Sequence, residues 1–348
     1  MGRVTLEDVA RRAYVAKSTA SRAMRGDPRI AARTRRRVTE AALDLGYDPA
    51  CDLMLSKVAG IVSASGLDDS FRDPFQLQLI EGIADGLHTL GMAVLFVPPF
   101  GTPGHDQALS RIPLDVCFLL HGFSTYASTR ASLERRGVPV LVLEAEAQDP
   151  DAAVRTNEAH AFRQVIASLL DAGHTAAAVV ALPLSHHRMH RGLVEMPNLR
   201  DIDVIPTRER LEVMVQTGLA VGPIFEATHS SEVDGELAAR AFLELPDLPT
   251  AIVCHSDVLA VGVVTALREA GLNVPNDVSV TGFDGLDFPL LAPLVLTTVT
   301  QDPFEKGRLL ADQARTLLLG GSPQPALMQL TMRAGNSVAS PRAARGGQ

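Results

Sequence analysis

Apolar and polar positions change their period once along the 348 residues, and the change divides the chain. Leu6, Val9, Ala10 and Ala13 keep helical spacing. A second helical stretch runs from Ala16 or Lys17 to Met24 with the small residues Ala20 and Ala23 inward. A third runs from Ala32 to Leu45 with Val38, Ala41, Ala42 and Leu45 inward. Two short helices around a tight turn, followed by a third, predict a helix-turn-helix. Gly46-Tyr47-Asp48-Pro49 ends this unit, because glycine tolerates a left-handed cap and proline cannot continue a helix. A linker follows from Ala50 to Lys57.

From Val58 onward short apolar runs alternate with longer helical patterns. Strand-like runs are expected at 60–64, 92–97, 116–121 and 138–143, with helices at 75–90 and 125–136 between them. A second series begins near Asn157: helix 158–172, strand 176–182, helix 208–219, strand 224–227, helix 230–245, strand 251–254, helix 257–270 and strand 278–283. Such alternation predicts an α/β body of parallel sheets covered by helices on both faces. Two like units in series predict two lobes with a cleft between them. A ligand in that cleft would meet residues placed just after strands. Pro183 to Pro206 breaks the rhythm and reads as an extended loop. Its His186, His187 and His190 have no cysteine or carboxylate at ligand spacing, so a solvated loop is expected rather than a metal site.

Charge adds what the period cannot. Residues 1–58 hold 12 Lys+Arg against 7 Asp+Glu, whereas residues 59–348 hold 20 against 33. A basic head on an acidic body suits a nucleic-acid reader with a separate sensing or assembly domain. On the second helix Lys17, Ser18, Thr19, Ser21 and Arg22 are all hydrogen-bond donors, and in a helix-turn-helix the first turns of that helix meet base edges. Cys51, Cys117 and Cys254 are far apart and in no metal spacing, so reduced bystanders are expected. No apolar run reaches the length of a membrane span and no apolar signal region opens the chain; a cytoplasmic location is expected. The tail from Pro341 to Gln348 is expected to be disordered. Nucleophile-elbow, Walker and H-E-x-x-H motifs are lacking, so the sequence gives an enzyme no support and calls for no cofactor.

Val4-Thr5-Leu6-Glu7-Asp8-Val9-Ala10, Ser18-Thr19-Ala20-Ser21-Arg22, Thr34-Arg35 to Val38 and Leu45-Gly46-Tyr47-Asp48-Pro49 follow one another in register at the head. In the body stand Asp171-Ala172-Gly173-His174, Pro249 to Asp257, Ala270 to Asp284 and Leu296 to Gln301. In order and spacing these segments resemble the lactose-repressor-like (LacI/GalR) bacterial transcription regulators over nearly the whole chain. The resemblance implies a homodimer whose heads read a near-palindromic double-stranded operator. It implies a body with the fold of periplasmic sugar-binding proteins that holds a small effector, a sugar or related metabolite. The domains expected are a head over 1–48, a hinge over 49–58, a two-lobed body over 59–340 and a tail over 341–348. The first lobe would comprise 59–156 and 302–325, the second 157–300 and 326–340.

The resemblance places base reading on Lys17, Ser18 and Arg22, and phosphate contacts on Thr5, Thr19, Ser21 and Thr34. Phosphate contacts fix register without reading sequence, and the Arg22 guanidinium suits a bidentate contact with guanine. Leu53, Met54 and Leu55 would form an apolar wedge for the minor groove. Effector contacts fall on Phe75, Gln76, Arg210, Asp257, Asp284 and Gln301, a set in which carboxylates accept hydroxyls, a guanidinium donates and a ring stacks on an apolar sugar face. Bland readings stand beside these: Ser256 and Asp257 as helix caps, Asp284 as a turn residue, Phe75 as core and Arg210 as a surface charge. Several residues depart from the family pattern. Tyr14 replaces the turn glycine, Ala16 and Ala31 replace capping serines, the linker is shortened, and Gly285 rather than a second acid follows Asp284. An effector-independent regulator remains a second reading, and a solute-binding protein without a DNA role a third.

Overall fold

A computed structural model of the chain describes residues 5–24, 27, 29–45, 47, 57–63, 66–97, 105–120, 126–143, 153–185, 188 and 190–342. Two compact units result, residues 1–58 with 91–93, and residues 59–90 with 94–348.

The first unit contains α1 (Leu6–Arg12), α2 (Lys17–Met24) and α3 (Ala32–Leu45). Their inward faces meet in a core of Val9, Ala10, Ala13, Ala20, Ala23, Val38, Ala41 and Ala42, all selected by the helical spacing; Tyr47, beyond α3, joins them, whereas Leu6 and Leu45, which the spacing also turns inward, are only partly buried. Thr5 caps α1. Its hydroxyl oxygen accepts from the Asp8 amide at 3.3 Å while the Asp8 carboxylate accepts from the Thr5 amide at 2.9 Å, a capping box. Arg12 pairs with Asp44 at 3.1 Å and ties α1 to α3. Arg35 donates to the carbonyls of Asp27 and Ile30, both at 3.2 Å, and so pins the approach to α3. One member of the arginine run is therefore structural. Leu53, Met54 and Leu55 lie outside the described residues, as do Cys51, His186 and His187.

The second unit carries two main sheets. The first has four strands in the order β2-β1-β3-β4: β1 (Val58–Val62), β2 (Ala93–Val97), β3 (Val116–Leu119) and β4 (Val140–Val142). Its helices are α4 (Leu67–Arg72), α5 (Pro74–His88), α6 (His105–Arg111) and α7 (Tyr126–Arg135). After β5 (Val154–Thr156) and α8 (Glu158–Asp171) comes a five-stranded sheet in the order β10-β9-β6-β8-β7. It contains β6 (Ala176–Ala181), β7 (Gly192–Val194), β8 (Ala220–Glu226), β9 (Ala251–Cys254) and β10 (Ser279–Thr281), with helices α9 (Ile205–Thr217), α10 (Glu232–Leu243) and α11 (Asp257–Glu269). Strand β6 shows why these sheets read as continuous apolar runs. Ala177, Val179 and Ala181 enter a core with α8 and α9, whereas Ala178 and Val180 enter one with α10 and α11.

The segment expected to be an extended loop instead contains β7, an antiparallel edge strand on β8, and a short 3-10 turn over Leu199–Asp201. Helix α9 also begins earlier than its apolar pattern, because Pro206 sits within its first two positions, where the missing N–H costs nothing. The last strands are three residues each: β11 (Thr298–Thr300) pairs antiparallel with β13 (Thr331–Arg333), and β12 (Ala326–Met328) pairs parallel with β5. Between β11 and β12, α12 (Pro303–Leu318) returns to pack on α5. The two approach so closely that a Cβ on Gly307 would lie 2.2 Å from the Leu79 carbonyl. The expected disorder of the tail does not reach its first residues: Arg342 donates to the Leu248 carbonyl at 3.1 Å. Residues beyond 342 lie outside the described set.

Candidate functional site

In the head, helix α2 presents Lys17, Ser18 and Arg22 as exposed side chains, with Thr19 and Ser21 half-buried beside them and Thr34 half-buried on α3. Lys17 pairs with Glu7 at 3.5 Å, an exposed contact that exchanges readily for another partner. Thr5 is exposed but already engaged as the α1 cap. Tyr14 stands in the turn with φ +50°, which explains why a glycine belongs there and shows that tyrosine has been accommodated at some strain. The carbonyls of Ala16 and Ala31 open α2 and α3 by accepting from Thr19 and Ala20, and from Thr34 and Arg35, with no side-chain oxygen to complete either cap.

In the body the carboxyl edge of the five-stranded sheet gathers buried polar groups. Asp284 follows β10 at φ +118° and is buried; its Oδ1 accepts from Gln301 Nε2 at 2.7 Å. Gln301 Oε1 accepts in turn from Lys306 Nζ at 2.7 Å, and that ammonium lies 5.3 Å from the centre of the Phe75 ring. Gln301 sits on the crossing segment between β11 and α12. Phe75 is held at the start of α5, where Asp73 caps the helix by accepting its amide at 3.0 Å. Gln76 is buried next to it and accepts from the Ser63 hydroxyl at 3.4 Å. Gly285 fills the place of the family's second acid for a steric reason. Its φ is +77°, and a Cβ there would lie 2.6 Å from the Thr300 Cα.

Arg210 is buried, not a surface charge. Its Nε pairs with Glu158 at 2.8 Å, another of its nitrogens donates to the His255 carbonyl, and its guanidinium lies 3.5 Å over the Phe283 ring. Asp257 does not cap α11; Ser256 does, accepting from the Leu259 amide. The Asp257 carboxylate instead accepts from the Thr298 hydroxyl at 2.7 Å and the Leu286 amide at 2.8 Å, tying the turn after β10 to β11. Burial pushes this carboxyl up to about 7, against the opposing pull of the Thr298 and Leu286 bonds. Burial also raises Asp284 well above the ordinary carboxylate range, reinforced by the Asp257 charge and opposed by Arg210. His255, buried with neither ring nitrogen partnered among the described residues, is held neutral by burial first and by the Arg210 charge second.

The structure thus joins Asp284, Gln301 and Phe75 in one polar string through Lys306, a residue that the apolar pattern gives no reason to single out. Charge at a helical position reads as solvent-facing, and only the tertiary partners make this lysine a buried one. Beside the string a cavity of about 620 Å³ is bounded by Gln78, Gly285, Asp287, Gln301, Asp302 and Thr331. Of the six residues expected to contact an effector only Gln301 lines it; Phe75, Gln76, Arg210, Asp257 and Asp284 do not. Cys117 and Cys254 are buried free thiols, and burial pushes Cys117 up to about 12. No cluster of metal-ligating side chains occurs among the described residues, and no helix there is long and apolar enough to cross a membrane.

Comparison with known proteins addresses both units. Residues 5–50 match the family described as bacterial regulatory proteins, lacI family, and residues 166–338 match a periplasmic binding protein-like domain. The HTH-type transcriptional repressor CytR of Escherichia coli (strain K12) is 29% identical, covering 94% of this chain and 95% of its own length. The ribose operon repressor of the same organism is 27% identical over 93% of this chain and 95% of its own length. Among solved structures, the lac repressor dimer bound to operator and the anti-inducer ONPF superposes with a TM-score of 0.74 at 22% identity, covering 97% of this chain and all of that one.

Proposed function

The chain belongs to the lacI family of bacterial regulatory proteins, and from that premise we propose that it is a sequence-specific DNA-binding transcription regulator, a repressor controlled by a small ligand. The observation that carries this reading is the exposed row of donors Lys17, Ser18 and Arg22 on α2. In the proposed mode a homodimer sets two such helices into successive major grooves of a near-palindromic operator. Thr5, Thr19, Ser21 and Thr34 position each head on phosphates, and Leu53, Met54 and Leu55 supply the minor-groove wedge. The reading gives the chain no catalytic step, and a cytoplasmic location goes with it.

For the ligand we propose a sugar or related metabolite. Asp284 accepts its hydroxyls, Gln301 and Arg210 donate, Phe75 offers an apolar ring face and Gln76 lies alongside. Asp257 contributes by fixing the turn that carries Asp284. Because ligand binding shifts two arrangements only by its differential affinity for them, a near-complete switch needs about 5.5 kcal/mol. Effector-independent regulation is the second reading. It draws support from the way Arg210, Asp257, Asp284 and Gln301 are already bonded to neighbouring protein groups.

Binding of fragments upstream of the gene, compared with mixed-sequence duplex at physiological salt and with a panel of sugars and nucleosides, tests the reading. A preference for one fragment that a panel member changes is expected. Arg22→Ala should cost about 1–3 kcal/mol and relax that preference. Equal binding of all duplexes by the native chain overturns the proposal.

A further inference from the structure

Tyr14 is the one large apolar side chain among the described residues of the head that is left in solvent, at 86% exposure. It is also the one described non-glycine residue there with a left-handed backbone, at φ +50°. Those two facts are hard to reconcile with a structural role. A bulky residue in this conformation strains the backbone, and nothing of its ring is packed to offset that strain. Glycine would make the same turn at no cost. The turn amides are satisfied whatever the side chain, since Tyr14 donates to the Arg11 carbonyl at 3.2 Å and Val15 to the Ala10 carbonyl at 3.0 Å.

The position explains what the ring can do instead. Tyr14 lies three residues before Lys17, at the entrance to α2, whose exposed side chains Lys17, Ser18 and Arg22 are all donors. Whatever binds that face is rich in acceptors and negative charge. A phenol carries one O–H donor on a rigid ring with two rotatable angles, and tyrosine is among the side chains that hydrogen-bond phosphate oxygens of a duplex. We propose that Tyr14 is a DNA-backbone contact of this head, its hydroxyl donating to a phosphate beside the groove that α2 enters. The inference rests on the DNA-binding reading above and adds an anchor to it.

A neutral donor leaves a signature that a lysine or arginine does not. It displaces no counterion, so its loss weakens binding without changing how steeply affinity falls with salt. A phosphate contact also carries no sequence information, so the weakening is uniform across duplexes.

The experiment compares the full native chain with Tyr14→Phe and Tyr14→Gly on a mixed-sequence duplex and on a fragment from upstream of the gene, across a salt series. Thermal unfolding of each protein is followed in parallel. Both variants should bind each duplex roughly 3- to 10-fold more weakly, with the salt slope unchanged, while Tyr14→Gly unfolds at the same temperature or higher. Equal affinity of the native chain and both variants overturns the contact while leaving the DNA-binding reading intact. Loss in Tyr14→Gly alone overturns the hydroxyl donation. A native chain that binds neither duplex takes down the reading and the contact together, and shows itself before any variant is measured.

Discussion

Asp257 offers a test in which the structure fixes both size and sign. Its buried carboxylate is the acceptor for the Thr298 hydroxyl and the Leu286 amide. Asp257→Ala orphans both donors at about 1–3 kcal/mol each, a loss of about 2–6 kcal/mol. Asp257→Asn keeps the shape: the amide oxygen can accept from Leu286 and the amide nitrogen can donate to the Thr298 oxygen, whose hydroxyl then turns away. The aspartate titrates and the asparagine does not. With its folded value raised from 3.8 to about 7, the native protein holds a proton that the unfolded chain has released across that window. Native stability therefore falls, relative to Asp257→Asn, as pH rises from about 4 to about 7, and the difference levels off above that. The full linkage is at most about 4 kcal/mol. Asp284 is raised partly by the Asp257 charge, so the pair titrates together and the difference belongs to both. The chain has no tryptophan, so urea midpoints from far-UV circular dichroism at a series of pH values make the measurement. Parallel pH profiles for the native protein and Asp257→Asn, or an unchanged midpoint in Asp257→Ala, would refute the reasoning.

Two further outcomes follow from the same geometry. Lys306→Met leaves Gln301 Oε1 without its donor. It should destabilise the body by about 1–3 kcal/mol, and a double-mutant cycle with Gln301→Leu should give a coupling of at least about 0.5 kcal/mol; strict additivity would show that the bond contributes nothing. Ala16→Ser supplies the cap that α2 lacks and should stabilise the head by about 0.5–2 kcal/mol, read as slower amide exchange in α2, with unchanged exchange as the contrary result.

Much of this was legible in the sequence because it depends on local period and turn chemistry. The three head helices, their inward alanines and the alternation of strands and helices from Val58 onward are properties of neighbouring residues. Three-residue strands such as β7, β5 and β12 are too short to show a period, and exist because a partner strand is there to pair with them. Pro206 misled for the opposite reason, since a helix breaker in the interior is a helix starter in the first turn. In the body, the sequence offers Asp257 as a ligand contact or a cap. Its tie to Thr298 spans 41 residues, and no local pattern carries such a contact. Lys306 was hidden by its own charge.

The departures of the head from its family pattern share one energetic direction. Among the described residues of the head, six of the nine in its buried core are alanines, each adding only a methyl group of apolar burial. Two of its three described helices open on Ala16 and Ala31 without a side-chain cap, and Tyr14 adds backbone strain. Against this stand one capping box at Thr5, the Arg12–Asp44 pair and the Arg35 clamp, of which the exposed pair is worth at most about 1 kcal/mol. These departures lower the stability of the head below that of one with glycine at 14 and serine at 16 and 31. Binding that favours the folded head offsets such a loss by mass action: duplex at a hundredfold excess over its dissociation constant adds about 2.7 kcal/mol. The residues that weaken the head, Tyr14 and Ala16, also lie at the entrance to its donor-bearing helix. Lowered stability and a tyrosine ring left in solvent are thus two results of the same departures, and the Tyr14 and Ala16 variants separate them.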